Sequence, residues 1–555
     1  MNEHTTTARD GVAFEGAPTS AATADSRRFS EQVQRNQAAR RDGLLSEYDY
    51  IVCGSGSSGS VVARRLAENL DVTVLLLEAG GSDDVPSVMD PSIWYTNLGS
   101  ERDWGFVAEP DANLNGRAMP LSMGKVLGGG SSINVMVWAR GHQTDWDHCA
   151  AETGDAAWGY ESALATYRRI EDWQGRPDPA RRGTGGLLFV QTPPEPNPIA
   201  PAMLAAAARK GIQTFADHNG AMMEGEGGAA LANVLLRDGR RASVFRSYVY
   251  PVMAQPNLTV LTHATVTRVL LDGRRCVGVE YIADGRSITA RAREETVLSL
   301  GALHTPKVLM QSGIGDATSL RAHGIAVAQH LPGVGQNFQD HVMVSGCVWE
   351  YRTPTAPRNN VGESTFFWKS QPALPEPDIQ AFLAEIPIAT PEAMAGFEMP
   401  SSAWSLLPGL VRPKSRGQLT LTGARPEDPL RIRTGALSEP DDLKALVKAV
   451  ALCREIGNDP ALAAFRKREV MPGALHGKAL DDFVRNAAST VWHMCGTAKM
   501  GRDAVSVVDG QLRVHGIDRL RIADASVLPR VPTGNTQAPC VVVGERLGEL
   551  LTAVR

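Results

Sequence analysis

Three glycines, Gly54, Gly56 and Gly59, stand between an apolar run and a helical pattern in the spacing G-x-G-x-x-G. Gly54 permits a tight turn, Gly56 lets the backbone approach a diphosphate, and Gly59 lets the helix pack on the strand. The free N–H groups at a helix N-terminus favour an anion there. A second apolar run, residues 72–77, ends in Glu78, whose carboxylate is placed to accept from the ribose hydroxyls of an adenosine. These residues predict dinucleotide binding.

The elements that must position these residues form a strand–helix–strand unit. Residues 48–53 are predicted as a buried strand, residues 61–68 as a helix and residues 72–77 as a second strand. A glycine-rich segment by itself is often only a turn. Here the strands, the glycine spacing, the helix and the acid at Glu78 agree, so the sequence favours a nucleotide-binding unit over a plain turn.

A second glycine cluster runs through residues 124–134 and is followed by the apolar run 135–138. Because Gly128 and Gly129 carry no side chains, we expect their backbone to lie against a cofactor ring or a diphosphate. The alternative is a loop that only needs positive φ. The cofactor interpretation is favoured over that alternative.

The bulk composition limits the class of protein. A length of 555 residues with 43% hydrophobic residues predicts an ordinary globular protein of two interwoven domains. A formal net charge of −5 gives no reason to expect nucleic acid as a partner. Seven scattered cysteines lack C-x-x-C spacing, which predicts reduced thiols in the cytoplasm and no metal site. No stretch is long enough to span a membrane, and residues 1–45 are predicted as a polar extension with a short helix near residues 29–40.

The residue pattern changes along the rest of the chain. Residues 258–281 are predicted as an antiparallel meander inserted into the nucleotide-binding unit. Residues 296–301 are predicted as a buried parallel strand that leads into a helix over residues 302–311. Residues 340–500 combine tryptophan and phenylalanine with many prolines, which is typical of a second domain that roofs a pocket.

Together these motifs resemble the glucose–methanol–choline (GMC) oxidoreductases, over nearly all of residues 48–551. The resemblance is carried by residues 54–59 with Glu78, and by residues 124–134, 301–315 and 331–341. It implies an α/β fold (α+β overall) in which a Rossmann-like FAD-binding domain is interwoven with a substrate-binding domain on an antiparallel sheet with helices. We expect the FAD-binding domain to take residues 46–145, 222–335 and 502–555, and the substrate-binding domain to take residues 146–221 and 336–501.

The resemblance also implies which residues contact FAD. Asn134 is expected to bind the flavin ring or the ribityl chain, and Asp524 to lie near the diphosphate and the ribityl chain. An acid at a strand end is also a plain helix cap, and the two roles of Asp524 are compatible. His304 is predicted to be a structural or surface histidine rather than a catalyst. The full set of expected FAD contacts is Gly54, Gly56, Ser57, Ser58, Gly59, Glu78, Gly124, Val126, Gly129, Ser131, Asn134, Val266, Asp524 and Ala525.

Two residues near the C-terminus match the catalytic pair of the family, His493 and Asn535. The implied reaction is oxidation of an alcohol carbon, in which His493 takes the hydroxyl proton and the hydride passes to flavin N5. Asn535 would donate an amide N–H to the same oxygen. Oxygen or a quinone-like carrier is the expected electron acceptor, and the sequence does not choose between them.

The sequence departs from part of the family at Ile133. Some members attach FAD covalently through a histidine at this position, and isoleucine has no nucleophile. We therefore expect noncovalent FAD.

The substrate is predicted to be a small primary alcohol, with an aryl or furan alcohol favoured. This prediction rests on aromatic residues of the second domain, namely Trp349, Phe366, Phe367, Trp368 and Trp404, each of which equally suits a core. A choline-like or aliphatic alcohol is the alternative, with Glu350 as a candidate acid for a quaternary ammonium, although a solvated strand edge is favoured for it. A non-redox lyase, a photodecarboxylase and an electron-transfer protein remain further alternatives.

Overall fold

The computed structural model of the chain describes residues 20–553, so the first 19 residues of the predicted extension lie outside the described part. Within that part, no helix is both long and apolar enough to cross a membrane. The α-helices are Ser20–Asp42, Ser57–Ala67, Pro86–Met89, Gln143–Thr153, Tyr160–Ile170, Ile199–Arg209, Val244–Tyr248, Gly301–Gln311, Ala317–Ala322, Pro391–Met394, Pro440–Gly457, Gly477–Ala487 and Gln537–Thr552.

Residues 20–553 also contain five two-stranded sheets. They pair Phe106–Val107 with Pro120–Leu121, Glu171–Trp173 with Leu188–Val190, Leu236–Arg237 with Arg240–Arg241, Ile314–Gly315 with Gln329–His330, and Gln418–Leu421 with Leu430–Arg433.

A seven-stranded mixed sheet forms the first layer. Its order is Leu258–Leu261, Val74–Leu77, Glu47–Cys53, Arg286–Leu298, Arg275–Ala283 and Thr265–Asp272, with Leu520–Ile522 parallel to the end of Arg286–Leu298. All four residues of Val74–Leu77 are buried, as expected for a parallel strand covered on both faces. The predicted α/β fold with a parallel nucleotide-binding unit is confirmed.

Two details of this sheet differ from the sequence prediction. The strand Leu258–Leu261 is not part of the meander, because it pairs parallel with Val74–Leu77 at the edge of the sheet. The predicted parallel strand at residues 296–301 is the end of a 13-residue strand, Arg286–Leu298. The first half of that strand closes the antiparallel meander, and its second half pairs parallel with Glu47–Cys53. A local pattern shows where a strand lies but does not show its partner.

The helix predicted near residues 29–40 lies within Ser20–Asp42 and packs on the edge of this sheet. The side-chain amide of Gln37 pairs there with backbone groups, because its Oε1 accepts from Val260 N at 2.9 Å and its Nε2 donates to Met253 O at 2.8 Å. Phe29 packs edge-on against Tyr250, with ring centroids 5.5 Å apart. The helix thus covers an edge strand that would otherwise expose unpaired backbone groups.

An eight-stranded antiparallel sheet forms the second layer. Its order is Arg466–Met471, Cys347–Tyr351, Ala403–Leu410, Ile379–Ala384, Ser364–Trp368 and Gly228–Leu231, with Val342–Val344 joining Ala403–Leu410 to Ala488–Thr490. The helix Pro440–Gly457 packs against it. Gly228–Leu231 belongs to this sheet although it falls within the predicted FAD-binding range 222–335. The division into two domains remains a prediction.

Candidate active site

The first glycine cluster forms a tight turn that only small residues allow. Gly54 has φ +97°, and a Cβ added there would lie 2.3 Å from Ser299 O. A Cβ at Gly59 would lie 1.9 Å from Gly54 O, so this residue lets the helix Ser57–Ala67 sit directly on the turn. A Cβ at Gly56 would meet no described atom within 4 Å. The space beside Gly56, at the N-terminus of the helix, is open for an anionic group.

Glu78 is buried, and its carboxylate is held by three donors. Its Oε2 accepts from the N–H and the hydroxyl of Ser55, at 3.1 and 2.7 Å, and its Oε1 accepts from Gly80 N at 2.8 Å. Burial raises the pKa of Glu78, and these hydrogen bonds oppose that rise. Ser55 Oγ also accepts from Gly128 N at 3.0 Å, so it links Glu78 to the second glycine cluster.

The second glycine cluster lies against the first. Gly128 and Gly129 both have positive φ, +89° and +51°, and a Cβ at Gly129 would lie 3.0 Å from the Cα of Gly56. A Cβ at Gly124 would lie 2.3 Å from the carbonyl carbon of Gly129. Backbone therefore meets backbone at both contacts. This is the cradle that the sequence predicts for a diphosphate or a ring, and a side chain would fill it.

The side-chain amide of Asn134 is fixed by protein groups. Its Oδ1 accepts from Met136 N at 3.0 Å and from Arg241 Nη1 at 2.8 Å, and its Nδ2 donates to Gln537 Oε1. Gln537 Nε2 is buried without a partner in residues 20–553, and Gln537 lines the same cavity. A buried donor that lacks a protein acceptor fits a site that binds a polar ligand.

Asp524 has the hydrogen bonds of a helix cap. Its Oδ2 accepts from Gly301 N at 2.9 Å and from Thr305 Oγ1 at 2.6 Å, and its Oδ1 accepts from Ser526 N at 2.8 Å. Burial raises its pKa. It lines the cavity together with Ala525, so its expected contact with the cofactor is compatible with capping.

One cavity brings the two predicted sets of residues together. Residues of both glycine clusters, Glu78, Val266 and Asp524 line it, and so do His493 and Asn535. Among the predicted site residues, Gly59 and Val126 do not line it. Gly59 lies beneath the turn, and the Val126 carbonyl accepts from Gly129 N at 2.7 Å, so both shape the cradle from behind.

His493 lies at the centre of a buried hydrogen-bonded group. Its Nε2 is 3.2 Å from Asn535 Nδ2, and its Nδ1 is 2.8 Å from His341 Nδ1. Its backbone N–H donates to Asp340 Oδ1 at 2.8 Å, while Asp340 Oδ2 accepts from the hydroxyl of Thr490. Asp340 thus fixes the backbone of His493, and its carboxylate is already engaged there.

Burial sets the charge state of this group. It lowers the pKa of His493 to about 3 and the pKa of His341 well below its usual value, so both rings are neutral near pH 7. Burial raises the pKa of Asp340 to about 7. A neutral His493 in a cavity is a proton acceptor that does not first have to lose a proton.

The aromatic residues on which the substrate prediction rested lie elsewhere. None of Trp349, Phe366, Phe367, Trp368 and Trp404 is among the described residues that line the cavity. Trp349 and Trp404 stack on each other at 4.7 Å, because the two strands that carry them place them directly opposite. That part of the prediction is wrong. The apolar wall near His493 contains Trp94, Val135, Met343, Phe382, Leu407 and Trp492 instead.

The candidate acid for a cationic substrate also lies outside the cavity. Glu350 pairs with Lys467 at 2.6 Å and with Arg468 at 2.7 Å, which lowers its pKa. Among the described residues that line the cavity, the carboxylates are Glu78 and Asp524, and both already accept hydrogen bonds from protein N–H and hydroxyl groups. The apolar wall near His493 therefore offers a substrate no carboxylate.

His304 has more contact with the cavity than the sequence suggests. The centroid of its ring lies 4.0 Å from that of Trp104 and 5.0 Å from that of Phe106. Burial, with the nearby charges of Lys307 and Lys125, lowers its pKa to about 3. It lines the cavity in a neutral form. Its packing against two aromatic rings agrees with the predicted structural role.

Sequence reasoning missed several residues of the site. Trp94 and Phe382 come from distant segments, and nothing in their local sequence marks them, whereas Trp492 directly precedes His493. Asn360 also lines the cavity, where its Nδ2 donates to Val135 O and its backbone carbonyl accepts from Trp94 Nε1. His341 does carry a signal, because it ends the motif at residues 331–341.

A glycine cradle that shares one cavity with a buried His–Asn pair fits a flavin-dependent alcohol oxidoreductase. The family model described as GMC oxidoreductase matches residues 48–343, and its C-terminal counterpart matches residues 413–544. The chain therefore belongs to the GMC oxidoreductases, whose cofactor is FAD. The family resemblance seen in the sequence is confirmed.

Individual relatives cover nearly the whole chain. A protein named oxygen-dependent choline dehydrogenase from Citrobacter koseri is 35% identical over 534 residues, which is 91% of this chain and 95% of its own length. The structure of pyridoxine 4-oxidase from Mesorbium loti superposes with a TM-score of 0.87 and is 32% identical, over 91% of this chain and 99% of its own. A fungal aryl-alcohol oxidase shares the fold, with a TM-score of 0.80, 23% identity, and coverage of 92% and 100%.

Proposed function

We propose that this enzyme oxidises an uncharged primary alcohol to an aldehyde, with an aryl or furan alcohol favoured. The observation that carries the proposal is a neutral, buried His493 beside Asn535 in an apolar part of the cavity that also contains the dinucleotide cradle. Bound FAD supplies the two-electron acceptor that takes the hydride from the alcohol carbon. The glycine clusters and Glu78 are the groups that hold it.

The two polar side chains have distinct roles in this proposal. His493 accepts the hydroxyl proton at Nε2, the ring nitrogen that is 3.2 Å from Asn535. Asn535 donates an amide N–H to the alcohol oxygen and so stabilises the negative charge that develops on it. Its Oδ1 is buried without a partner among residues 20–553, so it is free to accept a hydrogen bond from a bound ligand. The apolar walls exclude water from the pair.

The walls of the cavity support an aromatic substrate. Trp94, Phe382 and Trp492 offer ring faces and edges against which a flat ring can pack. A similar structure is that of a pyridoxine 4-oxidase, and pyridoxine is an alcohol with an aromatic ring. Choline is the second candidate, because the relatives at 35% identity are named for it and aromatic faces attract a quaternary ammonium. The absence of a carboxylate among the described residues of this wall weighs against it.

An anaerobic alcohol panel tests the substrate. We expect benzylic and furanic alcohols, and pyridoxine, to bleach the flavin absorbance when mixed with the enzyme without oxygen, whereas choline leaves it unchanged. Stopped-flow absorbance measures the rate for each alcohol. Bleaching by choline at a rate equal to or above that of the aryl alcohols would favour the second candidate. Failure of every alcohol to reduce the flavin would contradict the proposed function and leave a non-redox lyase as the alternative.

We further propose that FAD is bound noncovalently. Ile133, at the position where some relatives carry a histidine, lines the cavity and offers no nucleophile. We expect all of the flavin to enter the supernatant when the protein is denatured by heat or acid and the polypeptide is removed. Absorbance of the supernatant and of the washed polypeptide measures the distribution. Flavin that stays with the washed polypeptide would contradict a dissociable cofactor.

The electron acceptor and the compartment belong to the same proposal. Oxygen or a quinone-like carrier takes the electrons from reduced flavin, and parallel assays with an oxygen electrode and a soluble quinone distinguish them. All seven cysteines are free and buried, which supports a location in the reducing cytoplasm.

A further inference from the structure

His341 lies directly behind His493, on the side away from the cavity. The two Nδ1 atoms are 2.8 Å apart, and the two rings are perpendicular. His341 is 1% exposed and does not line the cavity, so it cannot touch a substrate that His493 touches. Its backbone carbonyl accepts from Val491 N at 3.1 Å, so the pairing of Val342–Val344 with Ala488–Thr490 continues up to the two histidines.

The hydrogen bonds around His493 indicate which of its two ring nitrogens carries the proton. A neutral imidazole carries one N–H, and a hydrogen bond between two ring nitrogens needs one donor and one acceptor. The amide Nδ2 of Asn535 is a donor, so His493 Nε2, 3.2 Å away, must be the acceptor. The proton of His493 is therefore on Nδ1 and is donated to His341 Nδ1.

The surroundings of His341 agree with this assignment. With Nδ1 accepting, its own proton is on Nε2, and the backbone carbonyl groups of Val411 and Pro532 face the ring. Nε2 makes no hydrogen bond of regular geometry with a described residue. The carboxylate nearest to the pair, Asp340, is engaged by His493 N and by Thr490. His341 is then the group available to accept from His493 Nδ1.

We propose that His341 is a positioning residue that holds His493 in the tautomer with Nδ1 protonated and Nε2 free to accept a proton. The other tautomer would present an N–H to the alcohol and could not take its proton. Once His493 has taken the hydroxyl proton on Nε2, it is an imidazolium, and the bond from its Nδ1–H to His341 becomes a charge-assisted one. The inference rests on the proposed role of His493 as the base.

Two substitutions of His341 distinguish the loss of its hydrogen-bond acceptor from the loss of the volume that its ring fills. His341→Leu keeps an apolar side chain but removes the acceptor, and we expect it to slow anaerobic flavin reduction at saturating alcohol roughly 10²-fold, as for other groups that orient a catalytic histidine. The alcohol concentration for half-maximal rate should stay unchanged. His341→Gln keeps a carbonyl oxygen that can accept from Nδ1, and it should recover most of the rate. His218→Leu is the matched control, because it removes another fully buried histidine that does not line the cavity.

Nitrogen NMR of ¹⁵N-histidine-labelled holoenzyme reads the tautomer without any substrate. The His493 signals are assigned by their loss in His493→Ala. We expect a protonated Nδ1 and an unprotonated Nε2 in the natural enzyme, and a population with protonated Nε2 in His341→Leu. A natural enzyme with protonated Nε2, or a His341→Leu variant that reduces flavin at the natural rate, would overturn the proposal. If His341→Leu does not fold, the natural enzyme and His341→Gln decide it. If no alcohol is oxidised, the NMR result still stands, so the two failures are distinguishable.

Discussion

His493→Ala is expected to leave the protein yellow while it slows anaerobic flavin reduction by ~10²–10⁴-fold, the usual contribution of a general base. The ring of His493 lines the cavity at 7% exposure, so its loss removes the proton acceptor but none of the hydrogen bonds that form the glycine cradle. Asp340 accepts from the backbone N–H of His493, which alanine retains. The cofactor site should therefore persist. Stopped-flow measurement with a saturating aryl alcohol gives the rate.

The pH dependence of the natural enzyme provides a second measurement of the same group. Burial lowers the pKa of His493 from an ordinary value of 6.5 to about 3, so the ring stays neutral well below neutral pH. Asp340 gains a proton in this range, since its pKa is about 7, but a protonated carboxyl can still accept from His493 N. We therefore expect the rate of flavin reduction to change little as the pH falls from about 8 to about 5, whereas an unperturbed histidine base would lose most of its rate below its pKa of about 6.5. A base with a lowered pKa loses activity only as the pH approaches that lower value.

His148→Ala is the control for this substitution. It removes a half-buried imidazole outside the cavity, and it should leave the flavin reduction rate unchanged. An unchanged rate in His493→Ala would remove His493 from the mechanism. A colourless His493→Ala would instead show that the ring is needed to bind the cofactor.

The cofactor half of the site was predictable because its chemistry depends on the backbone. The turn needs a glycine at Gly54, the approach of a diphosphate needs one at Gly56, and the packing of the helix needs one at Gly59. These needs fix the spacing of the three glycines. The acid follows at the end of the next strand, as Glu78. Such features are local in sequence, so they can be read without knowledge of the tertiary structure. The same holds for the second glycine cluster.

The substrate half depends on which strands lie next to each other, and the sequence does not state that. Trp349 and Trp404 suited a pocket by composition, but the strands Cys347–Tyr351 and Ala403–Leu410 pair in a register that stacks the two rings. The helix Pro440–Gly457 then covers them, and a Cβ at Gly457 would lie 2.2 Å from the Trp349 ring. The aromatic wall is supplied instead by single residues from distant segments.

The proposed catalytic pair combines a feature that the sequence shows with one that only the structure shows. His493 and Asn535 were identified through the family motifs, since a lone histidine and a lone asparagine have no local pattern. His341 stood in a recognised motif, yet its role becomes visible only where the pairing of Val342–Val344 with Ala488–Thr490 brings its ring to His493. A motif marks a segment as important, and the tertiary structure shows which atom of it matters.

Glu78→Ala is expected to weaken FAD binding by at least ~10²-fold. The substitution removes the acceptor for the ribose hydroxyls, and it also leaves three buried donors unpaired, namely the N–H and hydroxyl of Ser55 and the N–H of Gly80. Each buried donor that loses its partner costs about 1–3 kcal/mol. We expect the turn to rearrange so that these donors find other acceptors. That rearrangement would disorder the glycine cradle for the diphosphate. The ratio of flavin to protein absorbance after extensive dialysis, and a fluorescence titration of the refilled protein, measure the loss.

Glu78→Gln and Glu68→Ala separate the causes. Glutamine keeps one carbonyl oxygen but replaces the other by an N–H that cannot accept, so Glu78→Gln should retain more FAD than alanine and less than the natural enzyme. Glu68 caps the C-terminus of the helix Ser57–Ala67, pairs with Arg64 and Arg65 near the surface, and does not line the cavity, so Glu68→Ala should keep full flavin. Full flavin in Glu78→Ala after dialysis would contradict the assignment of this carboxylate to the adenosine ribose. Equal loss in Glu78→Ala and Glu78→Gln would mean that the charge, rather than the oxygen acceptors alone, holds the cofactor.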